Sequence, residues 1–237
     1  MAVAEDMVYV YEREKRKEIC SFKTALNAHG ICALVSVGQD TCLLAFPDEV
    51  IGDMRLVWIC TKTKTVKKEQ FIKAHESHIR CFALSLDGSL LATASEKGTI
   101  VRLFYTETGE KKTEFRRGSL ANEIYSICFS NRLDYLACVS SGGTLHVFLI
   151  NLDKLSGQSS SNGWWDYFSS YSPTESISKS IFKLRQIEGV AVCAFDSSDE
   201  SILLCTHNGE FICVKFDWNF SIRPPKEDPT DKYEILF

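Results

Sequence analysis

The sequence contains no long apolar run and no leader-like N-terminus. No stretch of its 237 residues approaches the roughly 18–20 consecutive apolar residues that a membrane-spanning helix requires. Residues 1–18 read MAVAEDMVYVYEREKRKE, so acidic residues stand where a signal peptide carries positive charge, and there is no apolar h-region. Both absences predict a cytoplasmic protein.

The sequence also lacks an excess of positive charge. Its 27 lysines and arginines are outnumbered by 31 aspartates and glutamates, which gives a formal net charge of −4. Such a chain is not a general polyanion binder, because binding of that kind needs a broadly basic surface. We therefore expect no nucleic-acid partner, and any anion site must be local.

No catalytic signature is present. The sequence has no GxSxG elbow, no HExxH zinc motif and no P-loop, and no pair of carboxylates has an interpretable spacing. The segment His75–His78 reads HESH, which is one residue shorter than the zincin motif and falls in a predicted turn. We therefore expect no enzyme activity, no catalytic residues, no metal and no cofactor.

The ten cysteines include no CxxC pair, so neither a zinc site nor a thioredoxin-like motif is indicated. Eight of them lie in apolar, strand-like runs: Cys32, Cys42, Cys81, Cys128, Cys138, Cys193, Cys205 and Cys213. Because the chain shows no secretory signal, we interpret these as reduced core residues of an intracellular protein.

What the sequence does contain is an internal repeat. Ile79–Phe104, IRCFALSLDGSLLATASEKGTIVRLF, is followed by a second copy at Ile124–Phe148, IYSICFSNRLDYLACVSSGGTLHVF. Equivalent residues such as Ser85 and Ser130 lie 45 positions apart. A repeat of roughly 40–45 residues that holds four short strands is typical of a β-propeller blade.

The repeat divides most of the chain into blades. We predict an all-β fold, a β-propeller of four-stranded antiparallel blades with about four and a half blades present. The predicted parts are a half blade at 7–26, blades at 30–74, 75–118, 122–186 and 189–220, and a C-terminal tail at 221–237. Closed propellers have roughly four to eight complete blades, so we expect an N-terminal truncation. The alternative is that other strands, such as Tyr233–Phe237, complete the half blade.

Two consecutive arginines lie between the repeat copies. Phe115–Gly118 reads FRRG, and in an extended chain the side chains of Arg116 and Arg117 point to opposite sides. We expect the two guanidinium groups to serve two different anion pockets, since arginine's planar fork suits phosphate oxygens. The simpler interpretation is a solvated strand edge that discourages aggregation.

These features together resemble the PROPPIN family, the WD-repeat, phosphoinositide-binding propellers of autophagy, which have seven blades. The resemblance is most specific in AHESHIRCFALSLDGSLLATASEKGTIVRLFYTETGEKKTEFRRGS and is supported by SSGGTLHVF. It extends from about Met7 to Phe216 and implies that the chain corresponds to part of blade three through blade seven.

The resemblance implies two phosphoinositide sites on the rim of blades five and six. The first site would comprise Arg116 with His75, Ser95, Thr99 and Arg102. The second site would comprise Arg117 with Ser141, Thr144 and His146, while Gly118 would let the backbone turn out of the strand. Each residue alone has an ordinary structural explanation, but the same chemistry in two successive blades favours lipid binding.

A long insertion interrupts the predicted blade at 122–186. Leu155–Lys179 exceeds the roughly 12–15 residues beyond which loops are usually functional or disordered. Its ends are rich in Ser and Gly, and its aromatic centre includes Trp164, Trp165, Tyr167 and Phe168. Because Trp and Tyr favour the membrane interface, and because the family has such a loop here, we expect it to insert into membranes. The alternative is that the aromatic side chains cover the side of the propeller.

The resemblance implies a non-catalytic effector. It would bind phosphatidylinositol 3-phosphate and 3,5-bisphosphate, associate peripherally with autophagosome-forming or endosomal membranes, and recruit autophagy machinery there. A further implied partner is a lipid-transfer autophagy protein, although the family places that surface on N-terminal blades with no counterpart in this chain. The alternative function is a protein-interaction scaffold that binds acidic peptides rather than lipid. The peptides would bind at Phe115–Gly118, the basic segment between the two repeat copies, which we call the joint.

Overall fold

The computed structural model describes residues 1–150, 182–185, 187–215 and 233–236. Within these ranges the chain forms β-strands and no helix. The nineteen strands are β1 (Ala2–Val3), β2 (Met7–Tyr11), β3 (Glu18–Lys23), β4 (Ala33–Ser36), β5 (Thr41–Pro47), β6 (Asp53–Cys60), β7 (Thr65–Lys73), β8 (Ile79–Leu84), β9 (Leu90–Ser95), β10 (Ile100–Tyr105), β11 (Lys111–Arg116), β12 (Ile124–Phe129), β13 (Tyr135–Ser140), β14 (Thr144–Leu149), β15 (Phe182–Arg185), β16 (Ala191–Phe195), β17 (Ser201–Thr206), β18 (Phe211–Lys215) and β19 (Tyr233–Leu236).

The strands form five antiparallel sheets in which neighbours in sequence are neighbours in space. The first sheet has three strands in the order β1-β2-β3, and the other four have four strands each: β4 to β7, β8 to β11, β12 to β15 and β16 to β19. This meander of short strands joined by tight turns is the pattern that the 45-residue repeat predicts.

Burial differs between the central strands and the edge strands of the sheets. The central strand β9, LLATAS, is buried at all of its positions, because both of its faces are covered. The edge strand β7 is mostly exposed, and it is also the most charged strand of its sheet, with three lysines and a glutamate. Edge strands rich in lysine resist pairing with other chains.

The chain divides into two compact units. Unit 1 comprises Met1–Lys97 and Val101–Thr113, and unit 2 comprises Gly98–Ile100 and Glu114–Phe237. In unit 1, apolar side chains of β5, β6 and β9 meet in one cluster that includes Leu43, Leu56 and Leu91. In unit 2, a second cluster joins the sheets β12–β15 and β16–β19.

A buried carboxylate links two turns of unit 2. Asp199, 2% exposed, lies in the β16–β17 turn and accepts hydrogen bonds from residues of the β12–β13 turn. Its Oδ1 accepts from the Asn131 backbone N–H at 2.7 Å and from Asn131 Nδ2 at 2.8 Å. Its Oδ2 accepts from the Arg132 backbone N–H at 3.0 Å. The carboxylate thus fastens one four-stranded sheet to the next.

Two strands lie outside the predicted blades. The predicted half blade at 7–26 contains β2 and β3, but the short strand β1 adds Ala2–Val3 to this sheet. The sequence predicts that residues 221–237 form a tail, or alternatively that Tyr233–Phe237 completes the half blade. Instead, β19 pairs with β18, from Phe211 opposite Leu236 to Val214 opposite Tyr233. This pairing covers a strand edge that would otherwise be open.

All ten cysteines are free thiols. The sulfur atoms of Cys128 on β12 and Cys193 on β16 lie 3.6 Å apart. Cys205 is exposed on β17. The prediction that it is a core residue is therefore wrong. In a strand, successive side chains alternate between the two faces, which puts Cys205 opposite its buried neighbours Leu204 and Thr206. None of the described ranges contains a helix that could span a membrane.

Candidate functional site

The arginine pair lies at the end of β11, where the alternation of a strand separates the two side chains. Phe115 is fully buried, Arg116 is exposed, and Arg117 is only 8% exposed. The Phe115 ring stacks on that of Phe148 in β14, with 4.9 Å between centroids. This contact anchors the strand end within unit 2, so the exposure of Arg116 and the burial of Arg117 follow from strand geometry.

The guanidinium of Arg117 binds the backbone around it. Its Nε donates to Gly98 O at 2.7 Å, and its Nη2 donates to Leu120 O. When the Asn122 amide is oriented to donate to Ala121 O, its oxygen accepts from Arg117 Nη1 at 3.2 Å. These contacts use three of the five N–H bonds of a guanidinium. Burial lowers the pKa of Arg117, although an arginine remains cationic at neutral pH.

The backbone of this joint is fixed as well. The N–H groups of Arg117 and Gly118 both donate to Thr99 O, at 2.9 and 3.2 Å. Thr99 itself is half-buried and its neighbour Gly98 is buried. The structure therefore brings together Gly98, Thr99, Arg117 and Gly118, although Thr99 was predicted for the other site.

The remaining residues predicted for the second site lie at the start of β14 and before it. Ser141 is exposed, whereas Thr144 is 8% and His146 2% exposed. Thr144 and His146 are two positions apart and share one face of β14. Thr144 Oγ1 donates to Gly142 O at 3.1 Å, and the imidazole of His146 stacks on Phe148 with 6.1 Å between centroids. Both side chains are thus preorganised by the protein.

Sequence reasoning missed three further polar residues beside Thr144 and His146. Ser140 pairs with Thr144, and its buried Oγ has no hydrogen-bond partner in the described part of the chain. On the other side of β14, Lys183 occupies the register position opposite His146, and Arg185 the position opposite Thr144. The alternating FKLR segment after the insertion was the signal that could have identified the two basic residues.

Three residues of the predicted first site lie in unit 1. His75 and Ser95 are buried, and Arg102 is half-buried. Arg102 Nη1 donates to Ala74 O at 2.6 Å, and His75 Nε2 lies 3.0 Å from Thr93 Oγ1. Thr93 also pairs with Arg102 across β9 and β10, so it belongs to this cluster although sequence reasoning missed it. The other two predicted residues, Thr99 and the exposed Arg116, lie in unit 2.

No metal site is evident at the HESH segment. Among the residues that the structure describes, no three His, Cys, Asp or Glu side chains lie close enough to hold a metal ion. The predicted membrane-inserting residues Trp164, Trp165, Tyr167 and Phe168 lie outside the described ranges.

Gly98 gives a test of the joint's geometry. Its φ is +58°, and a Cβ added there would lie 1.9 Å from Asn122 O. We expect Gly98→Ala to lower the free energy of unfolding by about 1–3 kcal/mol through overpacking, added to the backbone strain. Urea denaturation measures this.

The matched control is Gly30→Ala. Gly30 has the same backbone conformation, φ +60°, but no atom lies within 4 Å of the added Cβ. This variant should therefore show the strain alone, about 1–2 kcal/mol. Equal losses of stability in the two variants would contradict the close approach of Asn122 to Gly98.

The family model PROPPIN matches residues 1–184. The chain is 40% identical over 159 residues to Autophagy-related protein 18e of Arabidopsis thaliana, covering 66% of this chain and 40% of that protein. It is 32% identical over 167 residues to Autophagy-related protein 18 of Schizosaccharomyces pombe, covering 62% and 44% of the two chains. The chain thus spans about two fifths of the length of these curated relatives.

Solved structures show the same fold. Kluyveromyces lactis Hsv2 matches with a TM-score of 0.71 at 21% identity, over 98% of this chain and 67% of that chain. KlAtg21, solved in complex with the coiled coil of AgAtg16, matches with a TM-score of 0.65 at 21% identity, over 91% and 62% of the two chains. At this identity the likeness concerns the fold alone, which is that of an incomplete β-propeller.

Proposed function

Because the chain belongs to the PROPPIN family, we propose that it is a non-catalytic phosphoinositide effector of autophagy that binds membranes peripherally. The proposed ligands are phosphatidylinositol 3-phosphate and phosphatidylinositol 3,5-bisphosphate. The observation that carries this proposal is the split exposure of Arg116 and Arg117 at one strand end. Consecutive cations directed to opposite sides of a strand suit two separate phosphate groups.

Arg116 supplies the more accessible cation. Its side chain is exposed and has no partner among the described residues. A guanidinium in this state offers its complete planar fork to a phosphate. We propose that it binds the first headgroup, as the family resemblance implies, together with Thr99 of the same unit.

Arg117 supplies a different kind of contact. Three of its N–H bonds hold the joint, which leaves one N–H on each terminal nitrogen for a ligand. We place these donors in the second headgroup site with Gly118, Ser141, Thr144 and His146. The partnerless hydroxyl of Ser140 supports a polar ligand here, since a buried hydroxyl is destabilising until it is hydrogen-bonded.

The proposed membrane attachment also uses the insertion Leu155–Lys179. Changing Trp164, Trp165 and Phe168 to Ser should weaken vesicle binding but spare binding of soluble inositol 1,3-bisphosphate, because aromatic side chains contribute only at a bilayer. Vesicle flotation and calorimetry measure the two affinities. Unchanged flotation of the triple variant would contradict insertion and favour a loop that covers the propeller or contacts protein instead.

The proposed role is recruitment, so protein partners are expected. KlAtg21 was solved in complex with the coiled coil of AgAtg16, and we propose that this chain likewise recruits autophagy proteins. A lipid-transfer autophagy protein is a second proposed partner. Recruitment would combine with lipid binding as one multivalent attachment.

Flotation with vesicles of defined composition tests the function. Phosphatidylcholine vesicles that contain phosphatidylinositol 3-phosphate should carry the protein to the top of the gradient, and those with unphosphorylated phosphatidylinositol should not. An acidic peptide added in excess distinguishes lipid binding from the alternative function. A joint that binds acidic peptides would bind this peptide and would not bind the vesicles that contain phosphatidylinositol 3-phosphate. That result would overturn the proposal.

A further inference from the structure

Leu120 has the most exposed large apolar side chain in the described part of the chain. Its exposed fraction is 74%. It lies in the loop of residues 117–123, between β11 and β12, four residues after Arg116 and three after Arg117. Exposed leucines are common on protein surfaces, so exposure alone carries no conclusion. Two further features, a backbone fastened by hydrogen bonds and cationic surroundings, indicate that this leucine contacts a ligand surface.

The loop holds Leu120 outward by contacts to its backbone. Leu120 O accepts a hydrogen bond from Arg117 Nη2, and the same guanidinium donates to Gly98 O at 2.7 Å. Gly118 N–H donates to Thr99 O at 3.2 Å. The backbone is therefore fastened to the protein at Leu120 and two residues before it, while the Leu120 side chain is exposed. An apolar side chain on a fastened backbone binds a surface with less loss of conformational entropy than one on a mobile loop.

The surroundings of Leu120 match an anionic lipid surface. Residues 115–122, FRRGSLAN, contain two cations and no acidic residue. Arg116, Ser119 and Ala121 are exposed beside Leu120, and these side chains are cationic, small or polar. An exposed cation next to an exposed aliphatic side chain fits a bilayer, where headgroup phosphates lie above acyl chains.

We propose that Leu120 contacts the membrane, and that its side chain enters the boundary between headgroups and acyl chains while Arg116 binds a headgroup phosphate. This inference rests on the proposed phosphoinositide function. It adds an apolar contact with the membrane next to the joint, separate from the one proposed for the aromatic insertion. Arg117 acts here as a positioning residue, because its guanidinium donates a hydrogen bond to Leu120 O and so fixes the backbone of the loop.

The test compares two equally exposed leucines in the full chain. Leu120→Ser is the test variant, and Leu86→Ser is its control, since Leu86 is 71% exposed in the β8–β9 turn. Affinity is measured for vesicles of phosphatidylcholine with phosphatidylinositol 3-phosphate, and separately for soluble inositol 1,3-bisphosphate. We expect Leu120→Ser to lower vesicle affinity about 5- to 20-fold and to leave soluble headgroup affinity unchanged. Leu86→Ser should change neither affinity.

A second measurement places the side chain directly. Leu120→Trp and Leu86→Trp are compared with the unmodified chain on vesicles whose acyl chains carry bromine, which quenches tryptophan fluorescence on contact. Additional quenching should occur in Leu120→Trp only. The unmodified chain serves as background for its own four tryptophans.

The outcomes separate the inference from the function it rests on. If the unmodified chain binds neither vesicles nor the soluble headgroup, the proposed function fails and the inference fails with it. If the unmodified chain binds both, and Leu120→Ser binds vesicles equally well, the inference alone is overturned. Equal loss of vesicle and soluble headgroup binding in Leu120→Ser would also overturn it, because that pattern shows a structural role.

Discussion

Replacing both arginines of the joint, Arg116→Thr with Arg117→Thr, is expected to abolish the flotation of the protein with vesicles that contain phosphatidylinositol 3-phosphate. A hydrogen bond to a charged group contributes about 1.5–3 kcal/mol. The loss of one arginine should therefore weaken binding about 10- to 100-fold, and the loss of both should leave no measurable binding. Flotation across a series of lipid concentrations measures these differences.

The two single variants should differ in stability. Arg116 is exposed, so Arg116→Thr should leave the melting temperature unchanged. Arg117 is 8% exposed and holds Gly98 O and Leu120 O, so Arg117→Thr should lower stability by about 1–3 kcal/mol as well as affinity.

A control variant that loses the same positive charge elsewhere tests whether the loss of vesicle binding is specific to the joint. Arg13 and Lys15 are exposed in the β2–β3 turn, and Arg13→Thr with Lys15→Thr removes two positive charges there. This control should float like the unmodified chain, because general electrostatic attraction is not what the proposal invokes. If the joint variant floats as well as the control, the assignment of the arginines to lipid binding is wrong.

Asp199→Ala is expected to cause the largest loss of stability. The carboxylate is 2% exposed and accepts from both backbone and side-chain donors of Asn131 and from the Arg132 backbone. Its removal takes away the acceptor of both backbone N–H groups and leaves Asn131 Nδ2 with Asp196 O as its acceptor, which should cost about 3 kcal/mol. Asp199 also has φ +62°, a conformation that alanine tolerates less well than aspartate.

Thermal unfolding followed by circular dichroism measures this loss. For a chain of this size, about 3 kcal/mol corresponds to a melting temperature lowered by about 6–12 °C. Glu200→Ala is the control, since it removes the same charge from the neighbouring, exposed position. A melting temperature that falls equally in both variants would contradict the structural role of Asp199.

The fold class followed from local sequence. The 45-residue repeat and the alternation within each strand depend on residues that are close along the chain, so the sheets from β4 to β18 could be predicted from pattern alone. The opposite exposure of Arg116 and Arg117 is also a local consequence of strand geometry.

Contacts between distant segments could not be predicted in this way. The pairing of β19 with β18, and the bonds between Asp199 and Asn131, join residues whose proximity depends on the tertiary fold. The same holds for Thr93, whose hydroxyl lies beside His75, and for Arg117, whose side chain bonds to Gly98 O. No spacing in the sequence indicates that an arginine proposed to bind phosphate also fastens its own loop.

The number of headgroup sites per chain tests the central claim most directly. Isothermal titration of the purified protein with soluble inositol 1,3-bisphosphate should give a stoichiometry of two. Arg116→Thr and Arg117→Thr should each lower it to one, because each arginine is proposed to serve a different site. A stoichiometry of two that persists in both variants, or the absence of binding to the unmodified chain, would contradict the account.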